Sequence, residues 1–413
     1  MGFQTGLSGL NASSKNLDVI GNNIANANTT GFKYSRAEFS DLVASSIGAG
    51  GSNQAGLGVA LDTVAQQFTQ GNLSITGNTL DVAINGSGFF QLRMQDGTTA
   101  YTRSGNFKLD NQGTIITNSG AQVLGYPTTT AGVPTSTTPA PLALPTGAPI
   151  PAQATTSITA EFNLNAADTT VYNRVTDTPP YTTYGTALNV YDSQGNPELF
   201  SVYFTRDTSV VGPPAEDVWQ VWDANAPPTV PANTPLFSMR FDATGQLTAP
   251  IVMPTVTIPT ASAVTPNIVA TFDISNVTQY AAAFGVTDLT QNGYTAGSFV
   301  GLSISELGVV TARYSNGQTQ AAGMLALADF RNPQGLEPIG GNNWAETFAS
   351  GQPLMGQPGQ GKFGATRSGA LEDSNVDLTA ELVNMMTAQR AYQANAQTIK
   401  TQDQVLQTLV NLR

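Results

Sequence analysis

Apolar residues recur at intervals of seven near the start of the chain. Phe3, Leu10, Leu17 and Ile24 share one register, and Leu7 opens a second register that continues through small or polar residues. A seven-residue repeat places such side chains on one face of a helix that can pack against another helix. The glycine at position 31, which follows two threonines, is a suitable helix stop. The pattern predicts an N-terminal helix over residues 1–30.

The end of the chain carries the same repeat. Leu378, Met385, Tyr392, Ile399 and Leu406 share one register, and Leu382 lies in the second. The segment SNVD at 374–377 has the form of a capping box and marks the helix start. Because no proline follows position 358, a helix of about 35 residues is allowed. We predict that the segment 366–413 forms one helical layer together with residues 1–30.

A heptad stripe is often ordinary core packing inside one domain. These two stripes lie at opposite ends of the chain, however, and neither is flanked by enough helix to build a bundle. The natural partner of each is the other end of the chain, or the ends of neighbouring copies. Isolated helices of this kind are marginal in water. We therefore expect both ends to be poorly ordered in the free subunit and to fold on assembly.

Between the ends, short alternating runs and turn signals predict strands. Leu80, Val82 and Ile84 alternate ahead of a Gly-Ser-Gly break, and the Asn-Gly pair at 316–317 is a strong hairpin signal. Proline and glycine separate the apolar runs of the middle region, as in an antiparallel sandwich or barrel. The predicted fold class is mainly β, with helical termini that share one layer and two β domains, one inserted in the other.

Proline and charge indicate where the chain divides. Residues 1–126 contain no proline, whereas residues 127–285 contain 20 of the 24 prolines, with 11 acidic and 3 basic side chains. The middle region therefore reads as an acidic insertion. We predict a linker or extended segment at 31–69, an inner β domain at 70–145 and 286–365, and an outer β domain at 146–285 inserted into the inner one.

Composition excludes several kinds of chemistry. The chain has no Cys and no His, so thiol nucleophiles, disulfides, Cys/His zinc sites and His-based triads are absent. A net charge of -12 argues against nucleic-acid binding. The GQPGQGK segment at 356–362 matches most of a phosphate-binding loop, but Phe363 replaces the required Ser or Thr. We expect no enzymatic activity, no catalytic, metal or cofactor site, and no cofactor.

The start of the chain shows neither a signal peptide nor a myristoylation pattern, and no apolar run is long enough to cross a bilayer. We therefore expect a protein that does not insert into a membrane and does not use the general secretory route.

Several motifs resemble those of the bacterial flagellar rod and hook protein family. The N-terminal part carries LSGLNA at 7–12, NLDVIGNNIAN at 16–26 and TGFK at 30–33, followed by QGNL at 70–73, LDVAI at 80–84 and YTRSGNF at 101–107. The C-terminal part carries SGALE at 368–372 and QRAY at 389–392. Together the motifs cover roughly half of the chain. The large insertion is similar to that of hook members, since rod members are much shorter.

The resemblance implies a terminal coiled-coil domain, an adjoining linker and two stacked β domains, and a structural subunit rather than an enzyme. Such a subunit would polymerise with its own copies into a flexible curved tube outside the cell, in the hook and basal body of the flagellum, and act as a universal joint between motor and filament. The implied partners are the distal rod, the hook cap, the hook–filament junction proteins and the type III export apparatus. Two alternatives remain open: a straight distal rod subunit, and a secreted β-domain protein that binds carbohydrate.

Two surfaces follow from this interpretation. The assembly interface is predicted at Phe3, Leu7, Leu10, Leu17, Ile24, Leu378, Leu382, Met385, Tyr392, Ile399 and Leu406. The other face of the C-terminal helix is rich in uncharged amides, and Gln393, Gln397 and Gln404 are candidates for the wall of a central export channel. The alternative is that these amides have no channel role and simply face solvent or neighbouring subunits.

Overall fold

The computed structural model describes residues 2–42, 58–145, 147, 149–168, 184–207, 216–224, 235–261 and 264–411. The described side chains of the N-terminal helix begin at Gln4, and those of the C-terminal helix end at Thr408. The predicted interface role of the Phe3 side chain therefore lies outside the described residues. The described chain is mainly β with one helix at each end, α1 (Gly2–Ala25) and α2 (Leu378–Asn411). The fold class predicted from the sequence is confirmed. Neither helix is long and apolar enough to span a membrane.

The chain forms two compact units. The first contains residues 1–147, 300–313 and 319–413, and the second contains residues 148–299 and 314–318. The strands of the first unit are β1 (Ser35–Leu42), β2 (Gly58–Gln66), β3 (Leu73–Ile75), β4 (Val82–Asn85), β5 (Phe89–Arg93), β6 (Thr99–Thr102), β7 (Lys108–Leu109), β8 (Ile115–Ile116), β9 (Gln122–Tyr126) and β10 (Ala140–Pro141). After the insertion, they continue with β21 (Phe299–Ile304), β22 (Val309–Tyr314), β23 (Thr319–Leu325), β24 (Leu327–Asp329), β25 (Glu337–Gly340), β26 (Asn343–Ala345), β27 (Leu354–Gly356), β28 (Ala365–Ser368) and β29 (Ala370–Glu372).

A thirteen-stranded sheet dominates the first unit. Its main path runs β21-β22-β23-β9-β5-β6-β26-β25, with β7, β8, β10, β24 and β27 attached to it. The hairpin predicted from the Asn-Gly pair is present. Strands β22 and β23 pair antiparallel, and the glycine at position 317 between them has a φ of 80°. Edge-to-face contacts among Phe89, Phe330 and Trp344 lie in its core.

Three two-stranded sheets complete the first unit. Strand β28 pairs with β4, and β29 pairs with β3, so the chain leading into α2 lies against strands close to the N-terminal part. The segment predicted as a linker contains the antiparallel pair β1–β2, which packs against α1. Both arrangements bring the two ends of the chain to one region of the unit.

The second unit has two five-stranded sheets. Its strands are β11 (Ser157–Asn165), β12 (Gly185–Tyr191), β13 (Pro197–Asp207), β14 (Asp217–Asp223), β15 (Phe237–Phe241), β16 (Leu247–Ala249), β17 (Thr255–Ile258), β18 (Ile268–Asp273), β19 (Thr278–Tyr280) and β20 (Gly285–Gln291). Strands β12 to β16 form a meander. In the other sheet β11 pairs with β18, β19 and β20, and β17 pairs with β18. Side chains on β11 alternate between buried and partly buried, and the apolar ones share a core with Trp219 from the other sheet. The unit is therefore a sandwich, as the spacing of its short strands predicts.

Strand β20 lies in the second unit, whereas the sequence prediction places residues from 286 onwards in the inner β domain. The strand pairs antiparallel with β11, more than a hundred residues earlier, from Ile158 with Gln291 to Asn163 with Gly285. A ladder between such distant segments leaves no local signal, so proline content alone puts the boundary too early.

Candidate functional site: the helix pair and its ion cluster

The two terminal helices pack against each other in antiparallel orientation. The start of α1 lies beside the end of α2, since a Cβ added to Gly6 would lie 3.1 Å from Ile399 Cγ1. One turn later, a Cβ on Gly9 would lie 3.0 Å from Asn395 Nδ2. The glycines have no side chain to separate the backbones, so α1 and α2 approach closely. Bulky residues at either glycine would push the helices apart.

Polar contacts fix the register of the pair. Near the middle, Asn395 Nδ2 donates to Ser13 Oγ at 3.3 Å. At the far end, Asn23 is fully buried and donates from Nδ2 to Glu381 Oε2 at 3.1 Å and to the Ser35 carbonyl at 2.7 Å. Its Oδ1 accepts the Ser35 N–H at 3.0 Å. A buried amide with all of these partners tolerates little slippage, so it sets how the helices align with β1.

The start of α2 is held by two side chains of the predicted capping segment. Asp377 Oδ1 accepts the backbone N–H groups of Thr379 at 2.9 Å and Ala380 at 3.2 Å, as an N-cap does. Asn375 Oδ1 accepts the Tyr34 N–H at 2.7 Å, and its Nδ2 donates to the carbonyl of Gln67 at 2.9 Å. The helix start is therefore tied both to the segment after α1 and to the segment after β2.

A buried ion cluster lies where the helical ends join the β strands. Glu372, with no exposed side-chain surface, accepts from Lys33 Nζ at 2.6 Å and from Arg103 at 3.2 Å. The Gly71 N–H donates to the same carboxylate at 3.0 Å. Lys33 Nζ also donates to the Thr69 carbonyl at 2.7 Å. One carboxylate thus joins four segments that are distant in sequence.

Arg103 extends this cluster into the β strands. Its guanidinium donates to the Gly86 carbonyl at 2.9 Å and lies 5.3 Å from the centre of the Phe89 ring. Burial lowers the pKa of Lys33 and of Arg103, and the charge of Glu372 opposes that shift in both. In this buried cluster two cations contact one carboxylate, and the charge of Asp329 also acts on Arg103. The cluster is a structural joint whose geometry depends on Glu372.

The structure divides the predicted interface residues into two groups. Leu10, Leu17, Ile24, Met385 and Ile399 are partly buried within the single chain. Leu7, Leu378, Leu382, Tyr392 and Leu406 are exposed. Tyr392 is one heptad from Ile399 and shares its face of α2. The role of both groups in assembly stays a prediction, as does the expectation that the helices order only in a polymer.

The candidate channel residues Gln393, Gln397 and Gln404 are exposed. Their spacing of four and seven places them on one face of α2. Asn395 and Ile399, which lie beside α1, belong to the opposite side of the helix. The three amides are thus brought together on the surface of α2 that points away from α1.

Sequence reasoning missed the residues that form the closest contacts between the helices. These are small or polar: Gly6, Gly9, Ser13, Asn23, Glu381 and Asn395. A search restricted to apolar repeats passes over them, although Gly6 and Ser13 also lie seven positions apart. The predicted register of small residues after Leu7 includes Gly21, where an added Cβ would meet nothing within 4 Å, and misses Gly6 and Gly9. The ion cluster has no comparable local signal.

Four family models match the chain. The model described as "Flagella basal body rod protein" matches residues 3–33, and "Flagellar hook protein FlgE/F/G D1 domain" matches residues 83–163. "Flagellar basal body protein FlaE D2 domain" matches residues 163–294. "Flagellar basal body rod FlgEFG protein C-terminal" matches residues 367–412. These models cover both helical ends and the inserted unit.

The chain is similar over its whole length to flagellar hook proteins of other bacteria. The chain is 42% identical over 427 residues to the flagellar hook protein FlgE of Salmonella typhimurium, with 100% of both chains covered. It is 41% identical to the FlgE of Escherichia coli, again over 100% of both chains. A crystal structure of the Helicobacter pylori flagellar hook protein FlgE2 aligns with a TM-score of 0.54 and 16% identity, covering 72% of this chain and 100% of that one. That structural match supports the fold, and the sequence matches show that the chain belongs to the flagellar hook protein family, a family of structural proteins of the bacterial flagellum.

Proposed function

We propose that this chain assembles with its own copies into the curved tube of the flagellar hook and transmits torque from the motor and rod to the filament. One observation carries the proposal beyond family membership. After α1 and α2 have paired, the first turns of α2 still expose Leu378, Leu382, Val383 and Met386. Apolar side chains in such a row favour burial against another protein surface. Neighbouring copies would cover them in a tube wall.

A straight distal rod subunit is the nearest alternative. Negative-stain images of polymers grown from the purified protein distinguish the two, because a hook polymer is curved and a rod polymer is straight. A carbohydrate-binding role has weaker support. The two tryptophans that could form a sugar platform, Trp219 and Trp222, are buried in the second unit. The proposed role is mechanical and needs no cofactor or catalytic residue.

The partners proposed for this role are the distal rod, the hook cap, the hook–filament junction proteins and the type III export apparatus. An extracellular position in the hook and basal body agrees with the family to which the chain belongs. We also propose a division into an assembly domain and two β domains, with the inserted domain extended to include β20. The helical ends would form the assembly domain, and the inserted β domain would be the outer one.

The amide face of α2 is proposed to line the export channel. Replacing Gln393, Gln397 and Gln404 by Lys is expected to slow growth of structures beyond the hook by about tenfold, since fixed charge retains passing unfolded chains. The measurement is the length of hooks and filaments on cells that carry the variant. The matched control replaces the same residues by Asn, which keeps an uncharged amide and should leave growth unchanged. Normal filaments on cells with the Lys variant would contradict this role.

The inserted unit is proposed to set the curvature of the tube. Its entry and exit strands are adjacent, because the Ile150 N–H donates to the Gly297 carbonyl at 2.9 Å and the Gly297 N–H donates back at 3.2 Å. A short Gly-Ser linker can therefore replace residues 148–299. We expect the shortened chain to polymerise into straighter tubes, because the neighbour contacts of the unit are removed. Electron micrographs give the curvature directly, and unchanged curvature would count against this role.

A further inference from the structure

One aromatic side chain of the first unit projects completely into solvent. Phe348 has a relative exposure of 106%, and no other large apolar side chain among the described residues is as exposed. Single exposed apolar residues are common on proteins and need no explanation by themselves. Phe348 is unusual because the turn that carries it is held rigidly.

Hydrogen bonds lock the turn at 347–350. Thr347 Oγ1 donates to the Gly335 carbonyl at 2.5 Å and accepts the Ala349 N–H at 3.1 Å. Ser350 is buried, accepts the Thr347 N–H at 3.0 Å through Oγ, and donates back to the Thr347 carbonyl at 2.9 Å. Asn332 Nδ2 donates to the Ala349 carbonyl at 3.1 Å.

This network immobilises the backbone on both sides of Phe348. Because the backbone of the turn is already ordered, burial of Phe348 on binding would cost only the freedom of its two side-chain torsions, a small cost that suits an interface anchor. The turn therefore presents Phe348 ready to enter a cavity on another molecule.

The first unit also offers a cavity of suitable chemistry. A cavity of about 570 Å³ is lined by Tyr126, Pro134, Met355 and Gly356, together with three hydroxyl side chains and the amides of Gln357 and Gln360. It combines an aromatic ring, a proline ring and a thioether, all of which pack well against a phenyl group. A second cavity, of about 560 Å³, is lined by Asn, Thr, Ser and Gly alone. A third, of about 450 Å³, includes Arg93 and two glutamines. The cavity with Tyr126 and Met355 fits an apolar aromatic side chain best.

Phe348 is not among the residues that line this cavity, so the ring and the cavity are formed by different residues of the first unit. Two copies that inserted their rings reciprocally would form a closed two-fold pair. In a helical tube every copy occupies an equivalent position, so the ring of each copy would meet the cavity of the next in a heterologous contact. A ring and a cavity on the same chain can supply both halves of such a contact.

We propose that Phe348 of one copy inserts into the cavity formed by Tyr126, Pro134 and Met355 of a neighbouring copy. The proposal rests on the proposed function, because its partner is a second copy of this chain within the tube. It places a specific contact between the β domains of adjacent subunits, apart from the terminal helices. The helices would bring the subunits together, and the phenyl group would set the spacing of the β domains.

The first test compares the assembly of two alanine variants. Phe348→Ala should raise the subunit concentration required for polymerisation about tenfold, the change that corresponds to 1.4 kcal/mol of lost contact energy. Ile251→Ala is the matched control, since Ile251 is 91% exposed and lies in the second unit. Both variants should melt like the unaltered protein. An unchanged assembly threshold for Phe348→Ala would overturn the proposal.

The second test locates the receiving cavity by cross-linking. Because the chain contains no Cys, introduced thiols are the only ones present. Tubes grown from an equal mixture of Ala349→Cys and Gln360→Cys subunits should form disulfide-linked dimers on mild oxidation, with Phe348 retained. Tubes of either variant alone should not. A mixture of Ala349→Cys with Asn111→Cys, which adds a thiol at another exposed turn, is the control.

The two tests separate this proposal from the proposed function. Tubes that form normally but show no Ala349→Cys to Gln360→Cys dimers would overturn the contact and leave the polymer role standing. Failure of the unaltered protein to form any tube would overturn the proposed function, and this contact with it.

Discussion

Replacing Glu372 by Gln should destabilise the first unit by about 3–5 kcal/mol, because it leaves the buried cations Lys33 and Arg103 without their counter-ion. Gln has nearly the same shape as Glu and keeps a hydrogen-bonding group, so lost packing contributes little. Calorimetric unfolding gives the measurement. The transition of the second unit, which has its own core, serves as an internal reference.

Two further variants sharpen this prediction. Glu337→Gln removes a charge from an exposed position on β25 and should change stability by less than about 0.5 kcal/mol. Combining Glu372→Gln with Lys33→Met removes an anion and a cation together. The double variant should lose less free energy of unfolding than the two single variants together, because fewer unpaired charges remain buried. A Glu372→Gln protein that unfolds like the unaltered chain would show that the cluster adds little to stability.

Replacing Ile399 by Asp should abolish tube formation at concentrations where the unaltered protein polymerises. Ile399 lies in the seam between the helices, against the backbone of Gly6. A carboxylate there must either lose its hydration or separate the helices, and we expect the assembly threshold to rise at least about a hundredfold. Sedimentation and negative-stain microscopy measure the loss. Leu17→Asp on α1 should have the same effect.

The folded state of the rest of the chain is the control for this experiment. The β units of both Asp variants should remain soluble and melt as before, since the sandwich core and the aromatic core around Phe89 contain no helix residue among those described. Ile399→Val removes one methylene from the same position, should cost about 0.5–1.5 kcal/mol, and should retain assembly. Normal tubes from Ile399→Asp and Leu17→Asp would refute the idea that helix pairing drives polymerisation.

The candidate site could be predicted only in part. A seven-residue repeat is local, so it identifies both helices and the partly buried residues Leu10, Leu17 and Ile399. The contacts that set the distance between the helices use Gly6 and Gly9, which have no side chain. These glycines matter because they lack a side chain where the side chains of Ile399 and Asn395 on α2 approach. Such complementarity becomes visible only when the two helices are side by side.

The sequence by itself determined the fold class, the two helical ends, the hairpin at 316–317 and, through its motifs, the family. Each of these depends on neighbours within a few turns or strands, whose spacing is fixed by helix and strand geometry. The tertiary structure alone decided which distant groups meet. Glu372 reaches Lys33 across 339 positions and Arg103 across 269 positions, and β20 joins β11 rather than the strands that follow it. Those contacts arise from closure of long loops around shared cores, and the free energy of burial that selects them depends on all of the packed segments together.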